Sequence, residues 1–109
     1  MWQEIQKYTK SKTPVLIEFY TAWCAPCKLL GTILDEIEKE MGDRLIIKKI
    51  DIDEDKMTTI HFDSTYQIMG TPTMMLFKDG KLLWRHAGVL FKDDLLKKIQ
   101  PFIEEEEWV

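Results

Sequence analysis

Trp23-Cys24-Ala25-Pro26-Cys27-Lys28 contains the only two cysteines of this 109-residue chain, and the remaining sequence reads as a scaffold that presents them. Upstream, Val15-Leu16-Ile17-Glu18-Phe19-Tyr20 is an apolar run that predicts a buried strand. Downstream, Leu29 to Met41 carries apolar residues at helical spacing. Cys24 therefore falls at a strand-to-helix junction. Backbone N–H groups there lack partners and the helix dipole favours negative charge, so a thiolate at Cys24 is stabilised relative to an ordinary thiol. Cys27, three residues on, lies one turn along the same helix, within reach of a mixed disulfide formed at Cys24.

Both cysteines sit in one motif, so a structural disulfide elsewhere is excluded. The pair is redox-active, metal-binding or inert, and redox chemistry is the reading carried forward. Two thiolates supply half of a tetrahedral zinc shell, but neither His61 nor His86 has a spacing that completes it, so no metal is expected. Hydrophobic residues make up 45% and charged residues 31% of the chain, the balance of a soluble globular protein, and a single domain over residues 1–109 is expected. Nineteen acidic against 15 basic residues give a formal charge of −4, with an acidic run from Glu104 to Glu107, which argues against nucleic acid as a partner. No apolar run approaches the roughly 20 residues of a membrane span. The opening Met1-Trp2-Gln3-Glu4 lacks a basic, then apolar, secretory pattern, so a cytoplasmic protein is expected; a chain already relieved of a leader would read the same, which keeps a periplasmic origin open.

Along the chain, Trp2, Ile5 and Tyr8 recur at helical spacing, and Ser11-Lys12-Thr13-Pro14 closes that first helix. The helix after Cys24 places Cys27, Leu30, Leu34, Ile37 and Met41 on one face and ends at Gly42-Asp43. Leu45 to Ile52 predicts a second buried strand. Glu18 and Lys49 are the two charged residues set inside these apolar strands. Residues 56–68 predict a helix with Met57, Ile60 and Tyr66 inward. Thr73 to Phe77 follows Thr71-Pro72 as a strand, and Asp79-Gly80 pairs it with Leu82-Leu83-Trp84 in an antiparallel hairpin. Gly88 ends that ribbon. Asp93 and Asp94 start a last helix with Leu95, Leu96, Ile99, Phe102 and Ile103 inward, and Pro101 is expected to kink or interrupt it. The order of elements implies an α/β fold, a mixed central sheet of about four strands with helices on both faces.

With these residues in view, the chain resembles the thioredoxin family. The family's Trp-Cys-Gly-Pro-Cys-Lys appears as Trp23 to Lys28, with Ala25 in place of glycine. The family's aspartate in the preceding strand corresponds to Glu18, its lysine in the next strand to Lys49, its Ile/Thr-Pro pair to Thr71-Pro72 and its late glycine to Gly88. Resemblance runs from about residue 3 to about residue 103. It implies a thiol–disulfide oxidoreductase, a protein disulfide reductase in which Cys24 attacks a substrate disulfide and Cys27 resolves the intermediate. It also implies a cis Thr71–Pro72 peptide whose backbone pairs with the substrate chain, and a substrate surface made of Trp23, Ala25, Pro26, Gly70, Thr71, Pro72 and Gly88. No bound cofactor is implied, only the Cys24–Cys27 disulfide, with electrons from a separate reductase of the thioredoxin-reductase type. The expected partners are protein disulfides, and the expected state is a monomer. Three departures stand out: Thr32 replaces the proline that usually bends the helix, the chain before the first helix is short, and the segment before Thr71 is about four residues longer.

Glu18 and Lys49 make chemical sense on this reading. Burial disfavours ionisation of the Glu18 carboxyl, raising its pKa and preparing it to take the Cys27 proton, with Lys49 moderating the rise. The alternative is a structural buried ion pair with no catalytic part. Trp23 reads as active-site surface, and Met69 as an adaptable apolar contact beside the groove; Met74 and Met75 read as core, and Trp2, Trp84 and Trp108 as packing or peripheral. Ala25-Pro26 adds no charge or imidazole near Cys24, which favours a reducing poise. Two other readings are an extracytoplasmic disulfide oxidant or isomerase, and a non-catalytic binding or metal-carrier module.

Overall fold

Two apolar runs, β1 (Val15–Tyr20) and β3 (Thr73–Lys78), fill the middle of a four-stranded sheet in the computed structural model, which describes residues 2–103. The acidic run and Trp108 lie outside the described residues. The strand order is β2-β1-β3-β4, with β2 (Ile46–Asp51) parallel to β1, and β3 antiparallel to both β1 and β4 (Lys81–Ala87). Central strands covered on both faces carry apolar side chains at consecutive positions, as β1 and β3 do.

Alternate residues feed two separate cores. Leu16 of β1 and Met74 and Leu76 of β3 pack against Leu30, Leu34 and Ile37 of α2 (Ala25–Met41) and against Leu95 and Ile99 of α4 (Lys92–Ile103). On the other face, Val15, Ile17, Phe19, Met75 and Phe77 meet Ile5 of α1 (Trp2–Thr9) and Phe62 of α3 (Lys56–Tyr66). The period of two along each strand thus assigns Glu18 to the α2 and α4 face.

The β3–β4 hairpin turns through Asp79 and Gly80, both at positive φ (52° and 80°), the conformation a two-residue turn of this hand demands. Leu76 pairs with Trp84 and Phe77 with Leu82, with a bulge between them. The first helix, the strand boundaries and this hairpin follow the sequence pattern closely.

Three expectations need correction. The second strand is not buried: β2 is an edge strand, mostly half-exposed, and Lys49 is part-exposed on the α2 side of the sheet rather than lying inside a core. In α3 the inward residues are Thr58 and Phe62, with Tyr66 partly buried, while Met57 and Ile60 are exposed. The Asp55 carboxylate caps that helix, accepting from Thr58 N–H at 3.3 Å and Thr58 Oγ1 at 2.8 Å, while Phe62 packed against Phe19 and Phe77 of the sheet sets which face turns inward. Finally, α4 runs through Pro101 to Ile103. Pro101 lacks the backbone donor that would reach back one turn, yet the helix is not interrupted there and continues to the last residue described.

Candidate active site

Cys24 is the N-cap of α2. Its backbone is extended (φ −95°, ψ 106°), and its Sγ accepts the Cys27 N–H at 3.1 Å. Pro26 stands in the first turn, where a missing N–H costs nothing because that donor has no helical partner. Cys24 and Cys27 are joined as a disulfide, with Cα atoms 5.2 Å apart. The two are unequal in access: Cys24 is half-buried, whereas Cys27 is 3% exposed. A nucleophile must be reached from outside and a resolving thiol need not be.

A second segment closes on Cys24 from the sheet. The Thr71–Pro72 peptide bond is cis, and the Thr71 carbonyl oxygen lies 3.7 Å from Cys24 Sγ. Gly88, at φ 102°, donates its N–H to the Pro72 carbonyl at 2.8 Å, so the end of β4 is tied to this loop. The Thr73 hydroxyl donates to the Gly70 carbonyl at 2.6 Å and tightens the turn. Around the cysteines, Ala25, Pro26 and Gly70 are exposed, Met69 is strongly exposed and Trp23 is 91% exposed. Pro72 itself is buried. Met74 and Met75 belong to the core.

Behind Cys27 lies a cavity of about 240 Å³ whose walls include Glu18, Tyr20, Cys27, Lys28, Gly31 and Lys49. It is large enough to hold water between Glu18 and Cys27. Glu18 is 1% exposed, and its Oε2 has no hydrogen-bond partner among the described residues. Burial pushes its pKa up to about 7, with the Lys49 charge pulling it down and the Asp35 charge adding to the rise.

Glu18 and Lys49 are cross-strand neighbours in the β1–β2 register, yet they do not form an ion pair. Lys49 Nζ instead bonds Asp35 Oδ1 at 2.7 Å and the Gly31 carbonyl at 3.2 Å. Sequence reasoning missed Asp35. Its signal was nonetheless present: Cys27, Gly31 and Asp35 are spaced by four on α2 and so form one row, of which Cys27 and Gly31 line the cavity and Asp35 reaches Lys49.

Reasoning from sequence also missed Arg85 of β4, whose guanidinium donates to the Tyr66 and Gln67 carbonyls where α3 ends. No local pattern announces that contact. His61 is stacked on Trp2 at 4.2 Å, and His86 lies beside Trp84 on β4 with its Nε2 4.0 Å from where a Cβ on Gly88 would stand. Among the described residues no three His, Cys, Asp or Glu side chains converge as a metal site.

A family model described as Thioredoxin matches residues 2–101. A thioredoxin of Mycolicibacterium smegmatis is 42% identical over 89 residues, 82% of this chain and 78% of that protein. A thioredoxin of Acidithiobacillus ferridurans is 45% identical over 86 residues, covering 79% and 76% respectively. Among solved structures, a Malassezia sympodialis thioredoxin superposes with a TM-score of 0.80 at 25% identity, covering 94% of this chain and 85% of that one.

Proposed function

This chain belongs to the thioredoxin family and is a thiol–disulfide oxidoreductase, a protein disulfide reductase, and we propose that its residues divide the reaction as follows. Cys24 is the nucleophile, Cys27 the resolving thiol, Glu18 the proton acceptor and Lys49 the charge that tunes it. Thr71, Pro72 and Gly88 clamp the substrate backbone, with Trp23, Ala25, Pro26 and Gly70 as the surrounding contact surface. The observation that carries this division is the difference in access between Cys24, at the open N-terminus of α2, and Cys27, 3% exposed beside the Glu18 cavity.

In the reducing direction the Cys24 thiolate attacks a substrate disulfide, forming a mixed disulfide and expelling one substrate thiolate, which takes a proton from solvent. The Cys27 thiol then passes its proton to the Glu18 carboxylate, directly or through water in the cavity. The resulting thiolate attacks Cys24 Sγ, closes the Cys24–Cys27 disulfide and expels the second substrate sulfur as a thiolate, which takes a proton from solvent, while Glu18 later returns its own to solvent. Two electrons leave the protein and two enter the substrate. A separate donor of the thioredoxin-reductase type returns the protein to the dithiol, as the family resemblance implies, and no bound cofactor takes part. The thioredoxin domain acts as a monomer in the cytoplasm, where dithiols are kept reduced.

Cys27→Ser tests the division of labour. It is expected to accumulate a mixed disulfide at Cys24 with a disulfide-bonded protein substrate, detectable by mass spectrometry; the absence of any adduct would overturn the assignment of nucleophile and resolver. An equilibrium potential near the roughly −270 mV of a thioredoxin is expected for the pair, and one near the roughly −120 to −180 mV of oxidants and isomerases would reverse its direction.

A further inference from the structure

Lys49 stands next to Glu18 in register, and an unrestrained ammonium beside a buried carboxylate would pair with it. Here two groups on α2 take the cation instead: the Asp35 carboxylate at 2.7 Å and the Gly31 carbonyl at 3.2 Å. Gly31 leaves the gap across which Glu18 and Lys49 face each other. A Cβ at that position would lie 3.7 Å from Lys49 Nζ and 4.0 Å from Glu18 Oε1. Meanwhile Glu18 Oε2 is buried and without a partner among the described residues.

We propose that Asp35 is a positioning residue for the thiol–disulfide reaction: it holds the Lys49 ammonium against α2 and keeps it from pairing with Glu18, whose carboxyl stays free to take the Cys27 proton. The proposal rests on the reading of Glu18 as proton acceptor. The charge pattern fits it, since Lys49 lowers and Asp35 raises the proton affinity of Glu18. The other titratable groups lining the cavity are Tyr20 at the end of β1 and Cys27 and Lys28 on α2. Met74, opposite Glu18 on β3, is uncharged. Asp35 is 60% exposed and Lys49 34% exposed, so their ion pair contributes little to stability and its removal leaves the fold intact.

The experiment compares wild type with Asp35→Asn, Asp35→Glu and Glu18→Gln. The Glu18 carboxyl is titrated by carbon-detected NMR in the disulfide form, and the rate of substrate disulfide reduction is measured against pH. With Asp35→Asn the Glu18 midpoint is expected to move about one unit toward acid as Lys49 turns to it, and the rate profile to move with it. Asp35→Glu restores both. If neither midpoint nor profile moves while Glu18→Gln does alter the profile, Asp35 has no positioning part and the Glu18 reading survives. If the midpoint moves but Glu18→Gln leaves the rate profile of the wild type unchanged, Glu18 is not the proton acceptor, and the part assigned to Asp35 in the reaction falls with it.

Discussion

Glu18 shows how a single buried carboxyl couples stability to pH. Its pKa rises from 4.5 to about 7 because the fold removes it from water. The folded chain therefore binds a proton more readily than the unfolded chain between those two values. Stability from this group is fully present below pH 4.5 and is lost as pH rises through 7. At full ionisation the loss is on the order of 2–3 kcal/mol, allowing for solvent in the cavity. Glu18→Gln removes that dependence. Measured by urea unfolding of the disulfide form, the variant is expected to gain on the wild type by that amount between pH 4.5 and pH 8; parallel curves would mean that Glu18 titrates as an ordinary surface carboxyl. The same carboxyl marks the point where chemistry overrides the strand pattern, since an apolar residue would pack there without penalty.

At the scale of elements, the longer segment that ends at Thr71 is held by the packing of Phe62, Tyr66 and Ile68 and by hydrogen bonds where its helix ends. The α3 helix stops at Tyr66, and Gln67 follows at φ 62°. Asp63 then accepts the Ile68 N–H at 2.8 Å, while Arg85 of β4 donates to the carbonyls of Tyr66 and Gln67. Charge-assisted bonds to backbone carbonyls each contribute roughly 1.5–3 kcal/mol when desolvated and less at an exposed site such as this. Two residues beyond Gln67 comes Met69, strongly exposed, and two beyond that Thr71, beside Cys24. Arg85→Ala is expected to loosen this presentation and raise KM for a disulfide-bonded protein substrate several-fold, with kcat and the reduction potential little changed. Steady-state kinetics decide it: an unchanged KM would limit Arg85 to clasping the end of α3.

Across the whole molecule, the sheet separates chemistry from much of the packing. Glu18, α2 and the cavity lie on one face; the aromatic cluster of Phe62 with Trp2, Phe19, Tyr66 and Phe77, at ring separations of 5.2 to 5.9 Å, lies on the other. Phe62→Ala would open a cavity where α1 and α3 meet the sheet. A loss of about 3–5 kcal/mol is expected from such a truncation, a large part of the total stability of a domain this size. Chemical denaturation should register it as a fall in the unfolding midpoint, while the potential of the Cys24–Cys27 pair in the folded protein should stay where it is.

The sequence by itself determined what rests on neighbours along the chain. Consecutive apolar residues marked β1 and β3 as central, helical spacing located α1, α2 and α4, Asp79-Gly80 announced the hairpin, and Trp23 to Lys28 placed the cysteine pair at a strand-to-helix junction. Each of these signals arises from local backbone preference and from burial that repeats with the period of the element. Only the tertiary structure decided the rest. The packing of α2 over the sheet brought the Asp35 carboxylate and the Gly31 carbonyl to Lys49, which bonds them instead of Glu18, its neighbour in register. Phe62 packing on Phe19 and Phe77 of the sheet left Met57 and Ile60 of α3 exposed, and Arg85 reached the end of that helix from a strand 18 and 19 residues away. These outcomes depend on which distant groups the fold brings within a few ångströms, and an interaction of that kind leaves no periodic trace in the chain.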